Sequence, residues 1–319
     1  MGEIKSAYAG LNGAVWFLLL PGAAWAGNAL YAMGQPGGVL KFYSPALVAL
    51  AMIAYVILHG RQRFGAKVMW RFTLIVFAIA WTFETISVTT GFPFGRYHYT
   101  EVMAPFLWHV PVFVLPAYAL MAYASWSLAT LILGRPAARP DPVALWAVPL
   151  VAAGAMVAWD LSMDILRSTV EQRWIWIDGG PHYGIPASNY LGWFGVTWLM
   201  FQGFALYLWT RPAGTLPKPP TSRGFWLSVP LIYAGFAGEY LLNPFTGHGA
   251  GRLAEVNGTL VPVQSLYTDA ALICLVTMLP LAAAGARAAQ RLGKPGRSAV
   301  RFRGQILGQI LGQIRGRQL

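Results

Sequence analysis

A single cysteine, Cys274, sits inside an apolar run of the chain. One cysteine excludes an intramolecular disulfide and any cysteine-cluster metal site. Charge is also scarce. Only 11% of the 319 residues are Asp, Glu, Lys or Arg, against roughly 25% in a soluble domain. The five lysines, Lys5, Lys41, Lys67, Lys218 and Lys294, fall outside the expected spans, which argues against a retinal Schiff base. The five histidines, His59, His98, His109, His182 and His248, form no HxxH or HxxxH pair. The chain thus lacks the histidine boxes of membrane di-iron hydroxylases, and any hydroxyl it installs is expected from water rather than O₂. No glycine-rich phosphate or dinucleotide loop occurs in a strand–helix setting. His98, His182 and His248 leave a metal open, although a lone loop histidine is usually a hydrogen-bonding residue.

Apolar and aromatic residues are what the chain has in quantity: 56% hydrophobic, with 14 Trp, 14 Tyr and 17 Phe. That composition predicts an all-α, polytopic transmembrane bundle. Eight apolar runs are expected to span, near residues 14–33, 43–59, 71–90, 105–133, 143–163, 191–210, 225–242 and 263–285. Residues 1–285 then form one bundle, and residues 286–319 a basic, disordered cytoplasmic tail. Gly-Gln-Ile-Leu repeats in the tail put Ile306, Ile310 and Ile314 on one side of any helix, but glycine every fourth residue opposes helix formation. Ala24-Trp25-Ala26, after Lys5 and a short apolar stretch, looks like a signal-peptidase site. A retained first span is the preferred reading, and cleavage would not change the topology.

The net charge of +12 invites a nucleic-acid reading, but the bases sit in short loops between apolar runs and in the tail. Of 23 Lys and Arg residues, 18 fall on the side that holds both termini; the other five are Lys41, Arg96, Arg167, Arg173 and Arg252. Basic residues near span ends mark the cytoplasmic side, so both termini are expected there. The outer loops, 91–104, 164–190 and 243–262, are the long ones, rich in glycine and aromatics.

Of the 11 acids, Glu84, Asp160, Glu239 and Asp269 fall in or at the edge of spans, all in the outer half. A charge at mid-bilayer costs roughly 2.5–3.5 kcal/mol on insertion scales, so each needs a partner or a purpose. The ordinary explanation is a neighbouring base, with Arg96, Arg167, Arg173 and Arg252 as candidates. Asp160 and Asp164, spaced i, i+4, share one face of a continuing helix. Such a pair could hold Mg²⁺ with a prenyl diphosphate. Against that stand the single pair, its outer location, and the lack of a basic cluster beside it in the sequence.

Three motifs stand out. Thr90-Gly91-Phe92-Pro93-Phe94-Gly95-Arg96-Tyr97-His98-Tyr99-Thr100 combines a tight path with aromatics expected to form a flat surface. Trp159-Asp160-Leu161-Ser162-Met163-Asp164 carries the acid pair. A third block runs from Trp174 to Phe194 and includes Asp178-Gly179-Gly180, Tyr183-Gly184-Ile185-Pro186 and Asn189-Tyr190-Leu191-Gly192-Trp193. Together, over roughly residues 84–195, they resemble the CruF-type carotenoid 1,2-hydratases of bacteria and archaea, which include the bisanhydrobacterioruberin hydratases. The 243–262 loop and the tail carry little of the likeness.

The resemblance implies water addition across the terminal C1–C2 double bond of an acyclic ψ-end group, as in lycopene, γ-carotene or C50 relatives. It implies a multi-pass enzyme of a prokaryotic cell membrane, with no redox cofactor and a substrate drawn from the lipid. A protonated carboxyl would give H⁺ to C2, aromatic faces would stabilise the cation at C1, and a second carboxylate would activate water. Asp160 or Glu239 is the expected donor, with Asp164, Glu84 or Asp269 orienting water or tuning it. Asn189 and Tyr183 are candidates to hold the water. Phe92, Phe94, Tyr97, Trp159, Trp176 and Trp193 are candidates to line the groove, although packing alone explains any one aromatic. Arg96, grouped with them, would neutralise an acid. The alternatives are an end-group cyclase, which starts with the same protonation, a lipid or proton-coupled transporter, and a non-catalytic scaffold in a pigment complex. Other pathway enzymes are expected partners.

Overall fold

A computed structural model describes residues 2–35, 37–218 and 220–292, with side chains from Val15 onward. Among the described residues, ten α-helices build the bundle: α1 Gly2–Met33, α2 Val39–Phe64, α3 Ala66–Thr90, α4 Val114–Ile132, α5 Ala144–Asp164, α6 Ala187–Trp209, α7 Arg223–Gly235, α8 Ala237–Leu242, α9 Val263–Val276 and α10 Met278–Leu292. Among the described residues, six single helices (α1–α6) and the α9–α10 run are long and apolar enough to cross a membrane; α7 and the stretch Ala237–Phe245, bent by 48°, pass the same test together as a broken seventh span, for up to eight in all. Leu47, Leu50, Ile53 and Ile57 of α2 are exposed on the bundle's surface. In lipid that exposure carries no cost, because the acyl chains are as apolar as the side chains.

The seventh span breaks after Gly235, where the Phe236 N–H bonds the Tyr233 carbonyl at 3.3 Å, a tighter reach than the α-helical one. Asn28 of α1 donates to the Gly235 carbonyl at 3.0 Å, and Trp25 donates to that of Leu231 at 3.1 Å. Side chains from α1 thus bond carbonyls beside the break, as buried polar backbone requires.

Four sequence expectations shift. The fourth span starts at Val114 rather than 105, because Phe106–Leu107 (β2) pairs with Val110–Pro111 (β3) in a hairpin. Pro105 and Pro111 favour that extended path. Lys41 lies in the first turn of α2 and Lys67 in that of α3, so neither is outside its helix. The last helix runs to Leu292, past the expected end at 285. The rest of the expected tail, including its repeats, lies outside the described residues.

The three long loops meet at one end of the bundle. Tyr97–Tyr99 (β1) pairs antiparallel with Trp174–Trp176 (β4), in register Tyr97↔Trp176 and Tyr99↔Trp174. The period-2 alternation of a strand turns Tyr97, Tyr99, Trp174 and Trp176 inward and leaves His98 and Ile175 exposed. Leu253–Val256 (β5) and Thr259–Pro262 (β6) form a hairpin. Asn257 at its tip donates to the Gly180 carbonyl at 2.8 Å and accepts from the Gly180 N–H at 3.3 Å. Gly95 has φ +118, and a Cβ there would lie 2.8 Å from Pro186. Only glycine lets the first loop lie this close to the start of α6.

Candidate active site

Beneath the loops lies a cavity of about 350 Å³. Glu84 of α3, Asp160 and Asp164 of α5 and Glu239 of α8 all line it. Asp160 and Asp164 are buried and share a helix face, as the i, i+4 spacing predicts. After Asp164 the helix continues as a π-helical turn, Ile165–Val170. Such turns widen a helix and are frequent at functional sites; here the turn carries Arg167 to the cavity wall.

The four acids sit in three different environments. Glu239 accepts from Arg167 through both oxygens, at 2.9 and 2.5 Å. Arg167 also donates to Glu171 at 2.8 Å, and Arg173 donates to the other oxygen of Glu171 at 2.8 Å. Tyr31 donates to Glu171 at 2.8 Å, and the Lys41 ammonium stands 3.6 Å over the Tyr31 ring. Just past the π turn, burial opposes ionisation of Glu171, but Arg167, Arg173 and Lys41 outweigh it and hold the carboxyl at about 2. For Glu239 the neighbouring-base explanation holds.

Glu84 has no base. Tyr97 and Tyr99 donate to one of its oxygens and Tyr118 donates to the other at 2.7 Å. Asp160 and Asp164 likewise form no ion pair among the described residues. The Asn189 amide nitrogen bridges them, donating to Asp160 Oδ2 at 3.1 Å and Asp164 Oδ2 at 2.9 Å. The indole N–H of Trp174 donates to Asp164 Oδ1 at 2.9 Å. Of the eight carboxyl oxygens on these four side chains, Asp160 Oδ1 alone lacks a hydrogen-bond partner among the described residues.

Aromatic rings cover the acids. Tyr118 stacks on Trp193 with centroids 4.7 Å apart, and Trp159 meets Trp193 edge-on at 6.2 Å. Trp176 lies against Tyr97 at 4.9 Å. The indole nitrogens of Trp159 and Trp176 are buried and meet no hydrogen-bond partner among the described residues. The expected flat surface is not formed: Tyr97 and Tyr99 stand at 82° to each other, because both phenols turn onto Glu84.

Phe94, Tyr97, Trp159, Trp176, Asn189 and Trp193 line the cavity as the sequence suggested. Phe92, Arg96, Tyr183 and Asp269 do not. Phe92 is 67% exposed and lines a separate hollow with Leu191 and Gly195. Arg96 forms an exposed ion pair with Asp178 and neutralises none of the cavity acids. Tyr183 packs on His182, and burial together with nearby Asp269 pushes its phenol up to about 12. Asp269 is half-buried in α9. Sequence reasoning passed over Tyr31, Tyr118 and Asn28, each a polar group inside an apolar run. It also missed the basic cluster. Arg167 and Arg173 line the same cavity as the Asp160–Asp164 pair, so the absence of bases beside the pair is a feature of the sequence that folding removes. Both arginines are occupied by Glu171 and Glu239. Among the described residues no group of three or more His, Cys, Asp or Glu side chains is arranged to hold a metal.

An apolar helical bundle with an acid-lined, aromatic-walled cavity defines an integral membrane protein with a buried polar site. Residues 43–243, more than half of the chain, match the family described as carotenoid biosynthesis protein. The chain belongs to that family, and its role lies in carotenoid biosynthesis. The match spans α2 to the end of the broken seventh span, and so contains all four cavity acids. No curated protein and no solved structure was found to match the chain.

Proposed function

We propose that the protein is a carotenoid 1,2-hydratase whose proton donor is Asp160. The observation that carries this reading is the one free carboxyl oxygen, Asp160 Oδ1, in a cavity walled by indole and phenol rings. Two buried carboxyls on one amide, paired with no cation among the described residues, avoid mutual repulsion by holding one proton between them. Asp164 has both oxygens occupied by N–H donors and therefore takes the carboxylate role. The proton resides on Asp160, facing the cavity.

The reaction then balances simply. Asp160 transfers its proton to C2 of the terminal double bond, and the π pair forms the new C–H bond. The tertiary cation at C1 is stabilised by the negative faces of nearby indoles such as Trp159 and Trp193. Water adds to C1 and loses its surplus proton. Glu84, whose three phenol partners are themselves proton carriers, accepts that proton before Asp160 is reloaded. Arg167 and Glu239 hold the π turn and α8 against each other and take no proton.

The same reading puts both termini on the cytoplasmic side of a prokaryotic cell membrane, with the substrate coming from the lipid. The unequal division of Lys and Arg supports this. A C-terminal reporter active only outside the cytoplasm would contradict it. The reaction itself is tested by expression in a lycopene-producing host. The expected product gains the mass of one water per reacted end. An isomer without that gain would indicate a cyclase, and unchanged lycopene would remove the reading.

A further inference from the structure

One side of the cavity wall is the seam between α2 and α4. Four of its lining residues, Pro45 and Ala49 on α2 and Phe113 and Ala117 at the start of α4, are exposed on the outside of the bundle. They belong both to the inner wall and to the surface. Their neighbours on the α2 surface, Phe42, Leu47 and Leu50, are large and apolar, as a lipid-facing flank requires. Three of the four, Pro45, Ala49 and Ala117, are small.

At the other end the same two helices are tied together. His59 Nδ1 lies 2.6 Å from the Tyr123 hydroxyl. Arg63 donates to Ser127 at 3.1 Å and to Thr130 at 2.7 Å. Arg63 is fully buried, pairs with no carboxylate among the described residues, and has its guanidinium 5.1 Å over the Trp226 ring. Arg63 is about 21 Å along α2 from Ala49, at the helical rise of 1.5 Å per residue. A buried cation held only by hydroxyls and rings is costly, and the cavity chemistry has no use for it. What it does is fix α2 to α4 at the end away from Pro45 and Ala49.

We infer that the α2–α4 seam is the lateral portal through which one end of an elongated apolar chain enters from the bilayer. This rests on the carotenoid reading of the cavity given above. A volume of about 350 Å³ is near the lower end for drug-sized ligands, roughly 300–1,000 Å³. It holds an end group, and the rest of the polyene stays in the lipid beside α2. The Arg63 and His59 contacts keep the portal's hinge end closed while its mouth opens.

The test uses the full chain in membranes, with lycopene as the probe. Two readouts are taken: hydrated product, and quenching of tryptophan fluorescence by bound lycopene. Ala49→Phe and Ala117→Phe narrow the mouth. Each is expected to slow hydration about tenfold or more and to weaken quenching similarly, as overfilling a packed site does. Leu50→Phe, on the adjacent lipid-facing surface, is expected to leave both readouts at wild-type level. Wild-type hydration and quenching in both alanine variants would overturn the portal. If the wild type quenches but does not hydrate, the hydratase reading fails; the portal then stands if the alanine variants lose quenching and falls if they keep it. No quenching and no product in the wild type would remove both.

Discussion

At the scale of single residues, the acids differ by their partners rather than by their burial. Asp160 and Glu239 are both almost fully buried, yet one has a free oxygen and the other has a guanidinium on each oxygen. Their amide variants should therefore fail differently. Asp160→Asn is expected to lower hydration by about 10²–10⁴-fold, the usual worth of a general acid, while the protein's thermal stability in detergent barely moves. Glu239→Gln is expected to destabilise by about 1–3 kcal/mol, because buried Arg167 loses one of its two carboxylates and keeps only Glu171; an unfolding titration in mixed micelles would read this. Equal stability loss in both variants would contradict the division. The sequence made the acids legible, since a carboxyl in an apolar run is conspicuous. It could not show which base Glu239 meets: Arg167 is 72 residues away, and Arg167, Arg173 and Arg252 were equally available by position.

At the scale of elements, the site depends on pairings made across the chain. The β1–β4 ladder joins two loops more than 70 residues apart and aims four aromatic rings into the cavity. The alternation in Tyr-His-Tyr and Trp-Ile-Trp carries that signal, but the short strands lie inside long loops and invite a reading as an aromatic surface. The span boundaries were more legible, because apolar runs of about 20 residues report directly on the bilayer. The break in the seventh span was hidden, as its freed carbonyls are taken by α1 rather than by neighbours in sequence. The α2–α4 tie was hidden too, since Arg63 reads as a cytoplasmic loop charge until Ser127 and Thr130 are seen beneath it. Thr130→Ala should cost about 1–3 kcal/mol, the penalty for leaving a buried polar group without its partner. Wild-type unfolding in detergent would mean that the hydroxyl contributes nothing to the tie.

At the scale of the whole molecule, polarity is divided between two regions of one cavity wall. Glu84, Asp160 and Asp164 lack cations, whereas Glu239 and Glu171 share Arg167, Arg173 and Lys41. The second group ties α1, α2, the π turn and α8 into one frame around the first. Its pH dependence has a definite sign. Glu171 falls from an ordinary 4.5 to about 2 in the folded protein. A depressed carboxyl adds stability that is complete above about pH 4.5 and fades as pH falls toward 2. Wild type and Glu171→Gln should therefore differ in Tm at pH 6, and the gap should close as the pH is lowered toward 2. A gap that persists unchanged to pH 2 would mean that the frame does not depend on this charge.

The central claim is that Asp160 gives the proton that starts water addition to a carotenoid end. The most direct measurement is mass analysis of the carotenoids formed when membranes holding wild type, Asp160→Asn or Asp160→Glu are incubated in D₂O with unlabelled lycopene. Wild type is expected to form a product that gains one water and carries one non-exchangeable deuterium at C2. Asp160→Asn should form almost none, and Asp160→Glu should restore part of it with the same label. Hydrated product from Asp160→Asn at the wild-type rate, or product without deuterium at C2, would contradict the account.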